Sequence, residues 1–287
     1  VWPPLTPGDA RTVATRVAVV LQAAWDELAA EQARVLEGVR EMWRVPYVLA
    51  TLEEFKAAIT EFEGRVDVEA RAFVQRQLPH LYEAGAVAAV TAIGAGSGTP
   101  VFGWTLAHTD ALQSLAADSY DDFLRRSQEA RRMSDAFYRA ARQAARVEVP
   151  RLAAGNRTAI QAAQRLAQRL QAQHGLSHVI YRNGARVPVR AWAEAATLAK
   201  SAVAYNAGTL NASRESGVRY VEVFDGFDCG WSSHQSMDKA NGTIRHVDEA
   251  MENPIAHPRC ARSFGPRPDV STEAQALGAL PTSRGDS

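Results

Sequence analysis

At 287 residues and 31.2 kDa, with 46% hydrophobic and 22% charged residues, the chain can bury one large core or two modest ones. Its 32 basic and 32 acidic residues cancel, which argues against a dedicated nucleic-acid binder, and two cysteines cannot build a disulfide framework. The charge is uneven along the chain. Residues 1–80 carry 9 Lys/Arg against 12 Asp/Glu, whereas 121–170 carry 11 Arg against 5 acids, with Arg125, Arg126, Arg131 and Arg132 clustered. Such a cluster reads either as a solvated helix face or as a face turned to DNA phosphates or an acidic partner.

The opening VWPPLTPGDA has no charged segment followed by an apolar core, so no signal peptide is expected; it also lacks an initiator Met. Thr6-Pro7 is a helix start signal. Val13, Val17, Val20, Leu21, Ala24, Trp25, Leu28, Val35, Val39 and Met42 follow at spacings of mostly three or four, an apolar stripe that lasts to Arg44 before Pro46 stops it. A helix of that length spans about 50 Å, which points to an elongated helical region. Thr51-Leu-Glu-Glu54 has the form of a capping box opening a second helix, Gly64 interrupts it, and a third is expected from Val66 to Ile93. The Ala/Gly/Val run from Ala84 to Gly98 is too short and too weakly apolar for a membrane span, which needs about 20 residues. The glycines of Gly94–Pro100 follow no strand and lack the lysine of a phosphate-binding loop.

A long Ala/Arg/Gln-rich helical segment is expected from Thr109 to His174, broken at Pro150 and Gly155-Asn156 and ended by Gly175. The pattern then changes. Asn183-Gly184 between two β-rich runs is the signature of a type I′ hairpin, with Pro188 on an edge strand. A helix from about Ala191 to Glu215, a strand around Val218–Val223, a second turn at Asn241-Gly242 and a weakly hydrophobic tail from GPRPDV onward complete the reading. The expected fold is α+β, mainly α: helical region 1–175, a small α+β module with hairpins at 176–268, and a flexible tail at 269–287.

Both cysteines and three of the seven histidines fall between Asp228 and Phe264. Written as ligands, Cys229, His234, His257 and Cys260 form Cys-x4-His and His-x2-Cys, a set that could close one tetrahedral structural zinc site. A small module with few large apolar residues would gain folding free energy from such a staple. The same residues also read as buried small hydrophobes and a backbone-bonded histidine, as a Cys229–Cys260 disulfide, or as a thiolate with His234 or His257 as base and Asp225, Asp228 or Asp238 orienting the ring. No nucleophile signature surrounds either cysteine. Trp231 and Phe264 are expected in the module's own core, and Asn206 is expected to bond a neighbouring loop.

Four segments in this region, YRNGARVPVRAWAEAATLAKSAVAYNAGTL (Tyr181–Leu210), GVRYVEVFDGFDCGW (Gly217–Trp231), DKANGTIRHVDEA (Asp238–Ala250) and HPRCARSF (His257–Phe264), resemble the minor capsid proteins of tailed bacteriophages. The resemblance is to the actinobacterial-phage relatives of Mu F-type head-morphogenesis proteins, and the N-terminal VWPPLTPGDA shares it more weakly. It implies a structural virion component, not an enzyme. Such a component is made in the host cytoplasm and built into the phage head in a few copies at the portal vertex. Its partners would be the portal protein, the major capsid protein and packaged DNA, with no membrane. Relatives often carry a Cys-x-x-Cys pair and end in His-Pro-Asn-Cys-Arg-Cys; here each knuckle holds one Cys, Arg259 and Ala261 replace Asn and Arg, and Lys200-Ser201 stand where Arg-Thr is common. Any metal therefore needs the histidines. The rival readings are a cysteine- or metal-dependent hydrolase of head maturation, a toxin-carrying relative (disfavoured because only about 20 residues follow Pro268), and a DNA-binding helical protein.

Overall fold

The computed structural model describes residues 7–41, 45–94, 102–148, 158–181 and 183–279. It is mainly helical, with long helices first and a small region of antiparallel strands and short helices after them. The elements are α1 (Pro7–Glu41), α2 (Val45–Ala72), a π-helical turn (Phe73–Gln77), α3 (Leu78–Gly94), α4 (Leu106–Gln143), a second π turn (Ala144–Glu148), α5 (Thr158–His174), β1 (His178–Ile180), β2 (Arg186–Pro188), α6 (Val189–Glu215), β3 (Tyr220–Phe224), β4 (Ile244–His246), α7 (Val247–Glu252), β5 (Ser263–Pro266) and α8 (Glu273–Gly278). The chain gathers into two compact units. One comprises 1–17, 72–119 and 194–287, the other 18–71 and 120–193. No described helix is long and apolar enough to cross a membrane.

Within the second unit, the stripe expected for α1 is buried at Leu21, Ala24, Trp25, Leu28, Val35 and Val39, with Ala18 buried beside it, while Val20 is exposed. Trp25 meets Phe62 edge-on at 4.5 Å and lies 5.4 Å from Trp192. The capping box at Thr51 does not form. Helix α2 runs straight through it, because Val48, Leu52, Phe55, Ile59 and Phe62 are all buried along one face, and the Thr51 hydroxyl instead donates to the carbonyls of Tyr47 and Val48. Gly64 does not interrupt it either.

The break comes later, in the first unit, at the π turn Phe73–Gln77. There the amide of Leu78 donates to Phe73 O, five residues back. Pro79 follows immediately; it has no N–H and its ring crowds the preceding turn, so a locally widened helix absorbs the clash. The long segment expected from Thr109 begins at Leu106, with Thr105 Oγ1 accepting from the amide of His108. The Thr6 start signal, most of the Gly94–Pro100 loop and the Pro150 and Gly155-Asn156 breaks lie outside the described residues.

Helices α3 and α6 meet with almost no side chain between them. A Cβ on Gly85 would lie 1.9 Å from Tyr205 O, and one on Gly208 would lie 1.9 Å from Tyr82 O. Each glycine thus faces the carbonyl three residues before the other, and Thr209 Oγ1 donates to Gly85 O at 3.1 Å. Beside this crossing a polar chain, buried at Tyr82 and His108 and open to solvent at Glu215, joins three helices. Asn211 Nδ2 donates to Tyr82 Oη at 2.8 Å, Tyr82 Oη bonds His108 Nδ1 at 2.8 Å, and His108 Nε2 meets Glu215 Oε2 at 2.9 Å. Thr105 Oγ1 closes it on Glu215 Oε1 at 2.5 Å. Burial pushes the Tyr82 phenol up to about 12, so it stays a protonated hydrogen-bonding link.

Strands β1 and β2 pair antiparallel, His178 opposite Pro188, which puts the proline in a two-stranded sheet that is all edge. The turn is not the two-residue type expected. Gly184 N donates to Tyr181 O, Tyr181 N donates to Ala185 O, and Gly184 takes φ 79°, so the loop has three residues and its glycine supplies the left-handed position. The second sheet has the order β4-β3-β5, antiparallel throughout. Gly242, at φ 76°, donates its amide to Val223 O and turns the chain into β4. Leu210, Val221, Val223, Trp231, Ala240, Val247, Ala250 and Phe264 form this sheet's core, as expected for Trp231 and Phe264. The segment read as a tail keeps structure further than expected. Arg267 is buried against Glu222 at 3.2 Å, Val270 is buried, and Thr272 with Gln275 forms a capping box for α8.

Candidate metal centre

Two tight turns bring the cysteines together. Cys229 N donates to Gly226 O, and Cys260 N donates to His257 O with Pro258 at the second position, where its fixed φ suits a turn. Gly230 has no room for a side chain: a Cβ there would lie 2.3 Å from Ser233 O. The bridge between Gly230 and Lys239 then folds the 229–240 loop back on itself.

Cys229 and Cys260 are buried free thiols with their sulfurs 3.7 Å apart. The ligand atoms of Cys229, His234 and His257 all lie within 4.8 Å of one another, as do those of Asp225, Cys229 and Cys260. The His234 and His257 rings meet edge-on at 4.9 Å. This Cys/His/Asp cluster could hold a metal ion. The sulfur spacing fits: two thiolates about 2.3 Å from a tetrahedral zinc sit about 3.8 Å apart.

Asp225 and Arg262 form the floor beneath the cluster. The Asp225 carboxylate accepts from Arg262 Nε at 2.9 Å and from Cys260 Sγ at 3.4 Å. Arg262 also donates to the carbonyls of Trp231 (2.9 Å), Asn253 (2.8 Å) and Gly230 (2.8 Å). Both side chains are out of solvent, at 0% and 1% exposure for Arg262 and Asp225. Two guanidinium groups lie over the Trp231 ring, Arg262 at 4.6 Å and Arg245 at 4.8 Å. Asn206 bonds a neighbouring loop as expected, its Nδ2 reaching Pro254 O and Arg262 O. Two of the three carboxylates expected to orient an imidazole are occupied elsewhere: Asp225 by Arg262, and Asp238 by Arg245 at 2.6 Å.

Burial, then the neighbouring Cys260 thiol and the Asp225 carboxylate, push the Cys229 thiol up to about 12. Burial and then the nearby His234 push His257 below the ordinary 6.5. Both shifts favour the neutral form and act on opposite sides of neutrality. Cys229 keeps its proton to higher pH folded than unfolded, so its contribution is full below its ordinary 9.0 and is lost as pH climbs toward 12. His257 gives up its proton more readily when folded, so its contribution is full above 6.5 and fades as pH falls below it. Metal-free protein is therefore expected to lose stability on both sides of this window in denaturant titrations at stepped pH. Cys229→Ala should flatten the alkaline limb and His257→Gln the acid one.

The four arginines singled out from sequence do not act alike. Arg131 pairs with Glu63 at 2.6 Å and Asp135 at 3.7 Å, and Arg126 pairs with Glu129 at 2.8 Å and lies over the Tyr181 ring. Arg125 and Arg132 are exposed and form no ion pair among the described residues. Arg139, also exposed, continues their line: 125, 132 and 139 are spaced by seven on α4, a period that keeps them on one face. That heptad spacing was available in the sequence and was obscured by the denser doublets.

No protein-family model, curated protein or solved structure matches the chain.

Proposed function

We propose that this chain is a structural, non-enzymatic component of a tailed-phage head, associated with the portal vertex or capsid interior. The observation that carries the reading is how the four resembling segments fit together. Tyr181–Leu210 contributes β2 and most of α6, Gly217–Trp231 contributes β3 and the first cysteine turn, Asp238–Ala250 contributes β4 and the start of α7, and His257–Phe264 contributes the second turn and the start of β5. They interlock through Asn206, Arg262 and the shared core. The raised Cys229 thiol supports architecture over turnover, since a thiol held near 12 offers little thiolate to act as a nucleophile. Localising the chain in purified virions by electron microscopy tests the reading; particles that lack it would overturn it.

Within that reading, Cys229, His234, His257 and Cys260 hold one structural zinc. Bound zinc would neutralise two thiolates and fix both turns. Protein purified without chelator is expected to carry one zinc per chain by elemental analysis, and Cys229→Ser or Cys260→Ser to lose it. Sub-stoichiometric metal in the unmutated chain would remove the zinc assignment. The arginine line Arg125, Arg132 and Arg139 faces packaged DNA. Three phosphate contacts predict that log K for random duplex falls with log salt at a slope of about −3, and that reversing all three charges abolishes the slope.

A further inference from the structure

A cavity of about 290 Å³ adjoins α6 and the chain from Arg259 to Ser263, lined in part by Arg11, Glu194, Leu198, Ser201, Asn206 and Arg259. One water claims about 30 Å³ of liquid volume, so the space exceeds what a single solvent molecule fills. Two buried polar atoms on its lining residues have no hydrogen-bond partner: the Ser201 hydroxyl and the Asn206 carboxamide oxygen, on residues each 1% exposed. The Asn206 orientation is fixed, because its nitrogen donates to Pro254 O at 2.8 Å and Arg262 O at 3.0 Å, leaving the oxygen as the spare acceptor. Ser201 is unusual on its own helix. Thr209 and Ser213 return their hydroxyls to the carbonyl four residues back, at 3.2 Å and 2.7 Å, and Ser201 does not.

Unmatched buried polar groups are destabilising, so a fold that keeps two of them at one cavity is matched to something that enters it. The charges around the cavity say what. Arg259 is 3.2 Å from Glu194, while Arg11 forms no ion pair among the described residues, leaving an excess positive charge. Leu198 and Ala202 add apolar lining.

We propose that this cavity binds a carboxylate flanked by an N–H donor, the chemistry shared by a peptide C-terminus and a free amino acid. The carboxylate pairs with Arg11, the N–H donates to the Asn206 oxygen, the Ser201 hydroxyl bonds the remaining polar group, and the side chain rests on Leu198 and Ala202. The test titrates full-length isotope-labelled protein with N-acetyl-trialanine, its C-terminal amide and free alanine, following the Asn206 side-chain resonances by NMR.

The acetylated acid or alanine is expected to shift those resonances at millimolar concentration, and which of the two binds tighter identifies the source. The amide should bind at least about tenfold more weakly, having lost the charge-assisted contact. Ser201→Ala should weaken binding by about three- to tenfold while leaving the melting temperature unchanged or raised, since its hydroxyl has no internal partner to lose. Arg11→Gln should weaken the acid and leave the amide unaffected. Absence of shifts with all three probes, equal binding of acid and amide, or a lowered melting temperature for Ser201→Ala would each overturn the site.

Discussion

Alanine at Gly85 or at Gly208 is expected to destabilise the protein by about 3 kcal/mol or more, the upper end of what overpacking costs. The reason is the identity of the atoms in the way. Each added methyl would sit 1.9 Å from a backbone carbonyl oxygen on the facing helix, and neither carbonyl can turn aside as a side chain could. The helices must separate, which also stretches the 3.1 Å bond from Thr209 to Gly85 O and disturbs the buried Tyr82 end of the polar chain. Because both glycines serve one crossing, helices already parted by the first methyl have room for the second. The double variant should therefore cost clearly less than the sum of the singles in a denaturant cycle. Additive costs, or a Gly85→Ala protein as stable as its parent, would show that the helices do not approach this closely.

Arg262→Ala carries the second large effect, about 3–5 kcal/mol, the range for removing one partner of a buried ion pair. It strands the Asp225 carboxylate out of solvent, orphans three carbonyls and removes one guanidinium from over Trp231. Arg262→Lys should recover only part of the loss, because an ammonium keeps the charge but cannot spread donors over four acceptors in a plane. Asp225→Ala added to Arg262→Ala should be milder than Arg262→Ala alone, since no unpaired charge remains. Equal loss in the single and double variants would mean that the carbonyl contacts, not the carboxylate, set the cost.

The long helices were legible because burial follows the apolar stripe: Leu21, Ala24, Trp25 and Leu28 are where the three-and-four spacing puts them. Thr51 misled because a capping box is a local preference, and the buried face through Val48, Leu52 and Phe55 outweighs it. The widened turn before Pro79 went unread since its signal is a single proline whose effect falls upstream of it. At the candidate centre the thiol and imidazole residues announced themselves by type and spacing. Arg262 did not. Its role depends on the end of β3, the Gly230–Trp231 backbone and Asn253 converging on one side chain, and no spacing within the chain encodes that. The Tyr82–His108–Glu215 chain was hidden for the same reason, its members drawn from three separated helices.

The two Asn-Gly turns bear on how the protein ages. Asparagine before glycine is the pair most prone to spontaneous deamidation, in which the glycine amide nitrogen attacks the asparagine side-chain carbon. Here both nitrogens are already committed, Gly184 to Tyr181 O and Gly242 to Val223 O, each at 2.8 Å, and the Asn241 oxygen is engaged by the Asp225 amide at 3.0 Å. Folding thus shields both positions from cyclisation. Isoaspartate should accumulate at 183 and 241 chiefly in chains that have come apart, a chemical clock that runs only on the unfolded fraction.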